Sequence, residues 1–338
     1  MHSRTPFALA LVLLATLSAA APGARGAAAG DFPPGAFSDN YGYRLEDFEG
    51  KVLVLFFYEQ ACPTCRGTIP QRNEVVQAFR DAPVRFIAVA AGDTLQEARM
   101  YAQGTGLAMP VFADPLSVME TRYGTKISLR NIYQVYVIGP TGNVVAHAMT
   151  KEAIAAAVKD VKWKFKDQGY DPKLATAVNL LEWNQWEAGM RLLRPQLKSS
   201  TKTLAESAKK LFAAVKVEGE QWKAQAEKLA ETEPAKAFDL YQRIATVFAD
   251  DELGKSVAAP LKKLAADKAV LDEQAARKMY LQLNAGMGRV TRQNVQDVAG
   301  FAQQIVKKYP TTPTGARVAE FIKDLERAFT PSGGGAAN

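Results

Sequence analysis

The run VLVLFFY at 52–58 constrains this chain more than any other stretch. Seven consecutive apolar residues, preceded by the turn-forming EGK, have the length of a strand and no polar face. Such a segment fits only where a sheet is covered on both sides, so it predicts a central strand in a layered α/β domain. A second run, VRFIAVAA at 84–91, has the same character. Between them RGTIPQRNEVVQAF has helical spacing, with Pro70 expected to kink it. TLQEARMYAQGTG reads as a helix ended by glycine, PVFAD as a short strand and SVMETRYG as a short helix. YQVYVIG (133–139), PTGN and VVAHAMT make a hairpin whose Pro and Gly supply the turn. KEAIAAAVKDVKWKF is expected to close the unit as a helix. The alternation predicts a mainly parallel sheet with an antiparallel edge, flanked by helices.

Two further segments differ in kind. His2 and Arg4 precede an apolar run from Phe7 to Ala20 and small residues through Ala29, which reads as a secretory signal peptide over 1–29. The run is shorter than the roughly 18 residues of a spanning helix. The expectation is an exported protein, periplasmic or extracellular, with no membrane span after cleavage; an uncleaved N-terminal anchor is the alternative. Beyond DQGYDP (167–172) strand-like runs stop, and Leu174, Ala177, Val178 and Leu181 begin amphipathic helical spacing. QRIATVFADDELGKSVAAPLKKL (242–264) aligns without gaps on QQIVKKYPTTPTGARVAEFIKDL (303–325), with seven of 23 positions identical, Gly254/Gly315 and Val257/Val318 among them. Phe248 and Tyr309 correspond in kind. Each copy reads as helix, turn, helix, burying its apolar face against neighbours. The expected division is 30–167 for the α/β domain, 168–329 for an all-α helical-repeat domain, and a disordered tail at 330–338.

Charge adds little. Residues 31–167 carry 15 basic and 15 acidic side chains, and 168–338 carry 25 and 20, so the formal excess is thin and scattered. No basic stripe is interleaved with aromatics, which argues against nucleic acid as a partner. Trp183 and Trp186, three apart on a helix, are expected to be packing residues between hairpins.

The only two cysteines, Cys62 and Cys65, stand just after the first strand and at the start of a helix. A closed zinc site needs four ligands, and His147 is the only histidine outside the signal segment. A disulfide staple across two residues gains little loop entropy. A redox dithiol fits best. A thiolate at Cys62 is favoured by the unpaired N–H groups of a helix start, and Cys65 lies one turn on, within reach of a mixed disulfide. No cofactor or metal is implied.

GKVLVLFFYEQACPTCRGTIP resembles the active-site segment of thioredoxin-fold proteins of the TlpA/ResA type, the exported thiol–disulfide oxidoreductases. MPVFADPLSVMETRYG resembles the insertion these share with peroxiredoxins, and YVIGPTGNVV their terminal hairpin. The likeness covers about residues 32–166. It implies a thioredoxin-like α/β sandwich, Cys62 as nucleophile and Cys65 as resolving thiol, with Pro63 and Thr64 tuning the potential and a protein thiol or disulfide as partner. WNQWEAGMRLL (183–193) and EPAKAFDLYQRI (233–244) loosely resemble tetratricopeptide hairpins, which implies a surface for recruiting a protein partner.

The chain departs from the family at three places. Ala61 stands where a tryptophan is usual, and Phe56 where many members carry a buried Asp or Asn, leaving Glu59 as the carboxylate nearest in sequence. Tyr133 stands where a cis-proline is usual, and a non-proline cis bond costs roughly 2.5–4 kcal/mol, so a trans Ile132–Tyr133 bond is expected. Neither cysteine has the P-x-x-x-T-x-x-C setting of a peroxiredoxin. The rival to an oxidoreductase is therefore a weakly catalytic or non-catalytic thioredoxin-like scaffold of the cell envelope.

Overall fold

The computed structural model describes residues 31–125, 127 and 134–329. Residues 1–30, Ile132, Tyr133 and residues 330–338, on which the signal-peptide, loop and tail expectations fall, lie outside the described residues. β1 (Ala36–Phe37), β2 (Val52–Tyr58), β3 (Val84–Ala91), β4 (Val111–Asp114), β5 (Gln134–Ile138) and β6 (Val144–Ala146) form one sheet in the order β1-β4-β3-β2-β5-β6. β2, β3 and β4 run parallel; β1, β5 and β6 pair antiparallel at the two edges.

β2 lies at the centre, as its composition requires. Val52, Val54, Phe56 and Tyr58 face a core shared with α1 (Pro63–Gly67), α2 (Ile69–Ala78), α3 (Leu95–Thr105) and a later helix, α5 (Lys151–Val158). Leu53, Leu55 and Phe57 face a second core with Phe32, Phe37, Phe48 and Met119 of α4 (Val118–Arg122). Both faces of β2 are buried, as its uninterrupted apolar run requires. α3 starts with a reciprocal cap between Thr94 and Glu97 and ends at Gly106, whose φ of +68° lies in the left-handed region. The expected kink is a full break: α1 stops at Gly67 and α2 restarts at Ile69, with Pro70 in its first turn, where no amide donor is missed.

The helix expected to close the α/β unit is shorter than its sequence suggests. α5 spans only Lys151–Val158, and KDVKWKF is not its continuation. The amides of Lys164, Phe165 and Lys166 donate to the Glu182 carboxylate at 3.0, 2.6 and 3.2 Å, and donors committed there cannot serve a helix. Trp163 and Phe165 then face different cores, Trp163 meeting Trp183 and Phe165 meeting Trp186.

The rest is helical: α6 (Ala175–Glu182), α7 (Trp186–Gln196), α8 (Lys202–Leu229), α9 (Pro234–Val247), α10 (Glu252–Ser256), α11 (Ala258–Ala265), α12 (Lys268–Met287), α13 (Val295–Lys308) and α14 (Pro313–Phe329). The two aligned segments occupy matching positions. Ile244 and Ile305 are fully buried, and their carbonyls accept from Phe248 and Tyr309, the residues that end α9 and α13. At Gly254 and Gly315 an added Cβ would overlap the Phe248 and Tyr309 carbonyl oxygens respectively. A glycine is required at each turn because the following helix crosses directly over the end of the previous one. Among the described residues no helix is long and apolar enough to cross a membrane.

Two seams join the helices to the sheet. At one, the buried Lys51 ammonium pairs with Glu182 at 3.0 Å, and Trp183 inserts into the second sheet core under the Arg85 guanidinium, 4.0 Å from the ring centroid. Trp186 instead packs inside the helices against Trp222. At the other, Arg122 of α4 pairs with Asp324 of α14 at 2.6 Å, and Leu116 and Val118 share a core with Leu283, Met287 and Phe321. Arg317 donates to the Phe32 carbonyl at 2.8 Å, and Gly35 donates to Asn284 at 2.7 Å.

Candidate active site

The parallel β2–β3 pair delivers two loops to one edge of the sheet. Residues 59–62 follow β2, and Gly92–Thr94 follow β3. Cys62 caps α1 in an extended conformation, and its Sγ accepts from the Cys65 amide at 3.2 Å. Pro63 takes the first helical position, where its missing donor costs nothing. Pro63 and Thr64 are exposed, and the Thr64 carbonyl accepts from Thr68 at 3.2 Å, holding the single turn of α1. The two sulfurs are not joined by a disulfide.

The thiols differ in environment. Cys62 is partly exposed, whereas Cys65 is buried among Tyr58, Ile69 and the α2 side chains. Burial first, and then the hydrogen bond with the Cys62 side chain, pushes the Cys65 thiol up to about 12. Cys65 therefore stays protonated at neutral pH, and Cys62 is the more accessible of the two sulfurs.

Glu59 is exposed, and its carbonyl accepts from the Cys62 amide at 3.1 Å. Phe56 lies in the core beneath the dithiol, stacked on Tyr58 at 6.2 Å and covered by the Arg72 guanidinium at 5.4 Å. His147 packs edge-on against Tyr136 at 4.9 Å, and among the described residues no group of three or more His, Cys, Asp or Glu could hold a metal ion.

The structure adds a carboxylate that reading along the sequence missed. Asp93 stands within electrostatic reach of Glu59 and of Tyr58, and burial lifts its carboxyl to about 6. The signal for it was topological: once β2 and β3 are read as parallel neighbours, with Tyr58 opposite Ala90, the loops leaving both strands emerge together. Tyr101 of α3 stacks on Tyr58 at 4.8 Å and 15°, completing the wall behind Cys65.

Residues 31–147 match the AhpC/TSA family. Over 120 residues the chain is 28% identical to the thiol-disulfide oxidoreductase ResA of Geobacillus thermodenitrificans (strain NG80-2), covering 36% of this chain and 68% of that protein. It is 26% identical over 120 residues to ResA of Geobacillus kaustophilus (strain HTA426), with the same coverage. Among solved structures, a thioredoxin-family thiol:disulfide interchange protein from Chlorobium tepidum TLS is 22% identical, with a TM-score of 0.34 over 40% of this chain and 98% of that one. Residues 31–147 are thus similar to the AhpC/TSA family. Their relatives include the ResA thiol-disulfide oxidoreductases.

Proposed function

We propose that the protein is an exported thiol–disulfide oxidoreductase in which Cys62 and Cys65 form the redox couple. The carrying observation is the asymmetry of the pair: a presented Cys62 Sγ at a helix cap, and a buried, protonated Cys65 whose amide donates to it at 3.2 Å. In the reductive direction the Cys62 thiolate attacks a partner disulfide and one partner sulfur leaves as thiolate. Cys65 then attacks Cys62 Sγ, the mixed disulfide breaks and the second partner sulfur leaves. Two electrons pass from the pair to the partner, and a Cys62–Cys65 disulfide forms. Pro63 and Thr64 tune the potential, and Glu59 with Ile132 and Tyr133 borders the partner's approach.

In this reading residues 1–29 direct export to the periplasm or beyond, 30–167 carry the chemistry, and the tetratricopeptide-like helices of 168–329 recruit the protein partner. The 28% identity with a ResA protein over 120 residues and the crossed-helix turns at Gly254 and Gly315 support it. The scaffold reading draws on Phe56, which puts an aromatic ring in the core beneath the dithiol where the family resemblance leads one to expect an Asp or Asn. A redox titration with thiol trapping, paired with insulin reduction, separates the two. A Cys62–Cys65 couple that never cycles in accessible buffers refutes the oxidoreductase. Cys65→Ser should accumulate mixed disulfides through Cys62, and an empty trap favours the scaffold.

A further inference from the structure

Thiol exchange uses one end of the sheet, and a cavity opens at the other. Arg85 is the only charged side chain within VRFIAVAA, and in the parallel pairing it lies opposite Leu53. Leu53 is five residue steps before Tyr58, so Arg85 sits about 16 Å along the strands from the end that carries the dithiol. Its guanidinium lies 4.0 Å from the centroid of the Trp183 ring. Lys51, near the same ring, has Glu182 as its counter-ion. Among the described residues Arg85 has neither an ion pair nor a hydrogen-bond acceptor. Burial disfavours its charged form, and only Tyr43 and Tyr41 offset that. Withdrawing a cation from water without a partner is costly, and an anion supplied from outside would remove the cost.

Arg85 and Trp183 line a cavity of about 210 Å³ whose other walls include Tyr41 and Tyr43 ahead of β2, Phe79 just past α2, and Met109 before β4. Trp183 reaches it from the turn between α6 and α7. That turn is tied to the sheet half by Asn184, whose Nδ2 donates to the Asp47 carbonyl at 3.2 Å. The cavity therefore lies where the sheet and the helices join, a common place for ligand sites. It is smaller than the roughly 300 Å³ at which sites for drug-sized ligands begin, so it suits one ring or a short branched chain.

We propose that this cavity binds a small monocarboxylate with an apolar body, its carboxylate on the Arg85 guanidinium and its body against Tyr43, Phe79 and Met109. The proposal does not depend on the dithiol reading. A planar guanidinium lying over an indole offers its edge to a planar, two-oxygen anion. A phosphate fits worse, because it brings close to two charges to one free cation and leaves the apolar walls unfilled. Arg80, also at the cavity, is exposed and already pairs with Asp81 at 3.2 Å. Two carboxylates lie on the tyrosine side. Asp39 accepts from the Tyr43 hydroxyl at 2.7 Å and the Tyr41 amide at 3.1 Å, and Asp47 accepts from the Arg44 amide at 2.8 Å. Neither reaches Arg85, and both disfavour a second anionic group on the ligand.

Isothermal titration calorimetry on the full chain, with hydrocinnamate as the probe, tests this. One-to-one binding with a Kd below about 1 mM is expected. Hydrocinnamamide has nearly the same shape without the charge and should bind at least about tenfold more weakly, since the charge-assisted pair with Arg85 is lost. Succinate, with a second carboxylate and no ring, should be weaker by a similar factor. Arg85→Gln should bring hydrocinnamate down to the affinity of the amide, and Arg85→Lys should recover part of the loss. Protein alkylated at its thiols should bind as the untreated protein does. The acid–amide comparison is made on the native protein, so it decides the matter even where Arg85→Gln does not fold. Equal affinity for acid and amide, no saturable binding up to about 10 mM, or an unchanged affinity in folded Arg85→Gln overturns the site. Succinate or inorganic phosphate binding more tightly than hydrocinnamate overturns the ligand class. Binding lost on alkylation puts the probe at the dithiol and overturns the proposal too.

Discussion

The seam at Glu182 permits a quantitative forecast. Its carboxylate is fully buried, accepts three backbone donors from Lys164–Lys166, and pairs with Lys51, itself only 6% exposed along its side chain. Glu182→Gln keeps the shape and one acceptor oxygen but removes the charge, stranding the Lys51 ammonium in the core beside Trp183, 5.5 Å from the ring centroid. Breaking a buried pair by removing one partner costs roughly 3–5 kcal/mol, and the retained acceptor puts this case near 3. For a chain of 338 residues, with an unfolding entropy of about 2.1 cal/mol/K per residue, that lowers the thermal midpoint by about 4–5 °C. Lys51→Met should cost less, about 2 kcal/mol, because the backbone donors still hold the carboxylate. The double variant should be more stable than Glu182→Gln alone, since the stranded ammonium is gone.

The pH dependence follows from the same groups. Burial alone would raise the Glu182 carboxyl, but the Lys164 and Phe165 amides and Lys51 outweigh it and hold it below the usual carboxylate range. A depressed folded value means the contribution is present above the unfolded value, about 4.3, and is lost as pH falls through the folded one. The gap between wild type and Glu182→Gln should therefore be full at pH 7 and close in acid. Urea or thermal melts from pH 3 to 7 on the four proteins of the cycle provide the check. A Glu182→Gln cost below about 1 kcal/mol, or single-variant losses that add within about 0.5 kcal/mol, would refute the pairing argument.

Gly254→Ala and Gly315→Ala should each destabilise by about 3 kcal/mol, since the new Cβ meets a carbonyl oxygen that cannot step aside. One harmless substitution in a denaturant melt would break the equivalence of the two turns. At pH 7 iodoacetamide should label Cys62 at least about 10²-fold faster than Cys65, whose thiolate fraction is near ~10⁻⁵ with its thiol at about 12; peptide mass spectrometry reads the ratio. For Asp93 the linkage has the opposite sign to Glu182. Its folded value is raised, so the native state holds the proton more tightly and loses stability as pH climbs from about 4 to about 6. Asp93→Asn should thus be more stable than wild type above about pH 6, by ~1 kcal/mol after allowance for partial solvent screening, and equal to it near pH 3. A variant less stable at pH 8 would count against the burial of that carboxylate.

Much of this architecture is legible in the sequence because its signals are local. VLVLFFY and VRFIAVAA declare doubly buried strands by composition alone, and the 61-residue shift aligning Gly254 with Gly315 exposes a shared turn before any coordinate is known. Cys62 and Cys65 are four residues of chain, so their proximity is guaranteed by one helical turn. What escapes is whatever depends on contacts between distant elements. Asp93 is 31 residues from Cys62 and looks like an ordinary loop acid until strand register sets it beside Tyr58. The tail of KEAIAAAVKDVKWKF is predicted to be helical, yet Glu182, on another helix, takes its amides and keeps it out of a helix. Trp183, expected to pack between hairpins, instead enters the second sheet core.

The bond from Arg317 to the Phe32 carbonyl ties residues 285 positions apart and sits beside the core that Leu116 and Val118 share with α12 and α14. Closing a loop of that length costs about 5 kcal/mol in chain entropy, and contacts so remote make for slow assembly. Synthesised from its amino end, this polypeptide carries Leu116, Val118 and the Arg122 guanidinium without cover until its last helix has emerged. A fragment ended at the redox half would hold both sulfurs and still present an oily, charged scar where α14 belongs. Expressing the catalytic half by itself calls for resurfacing that scar first.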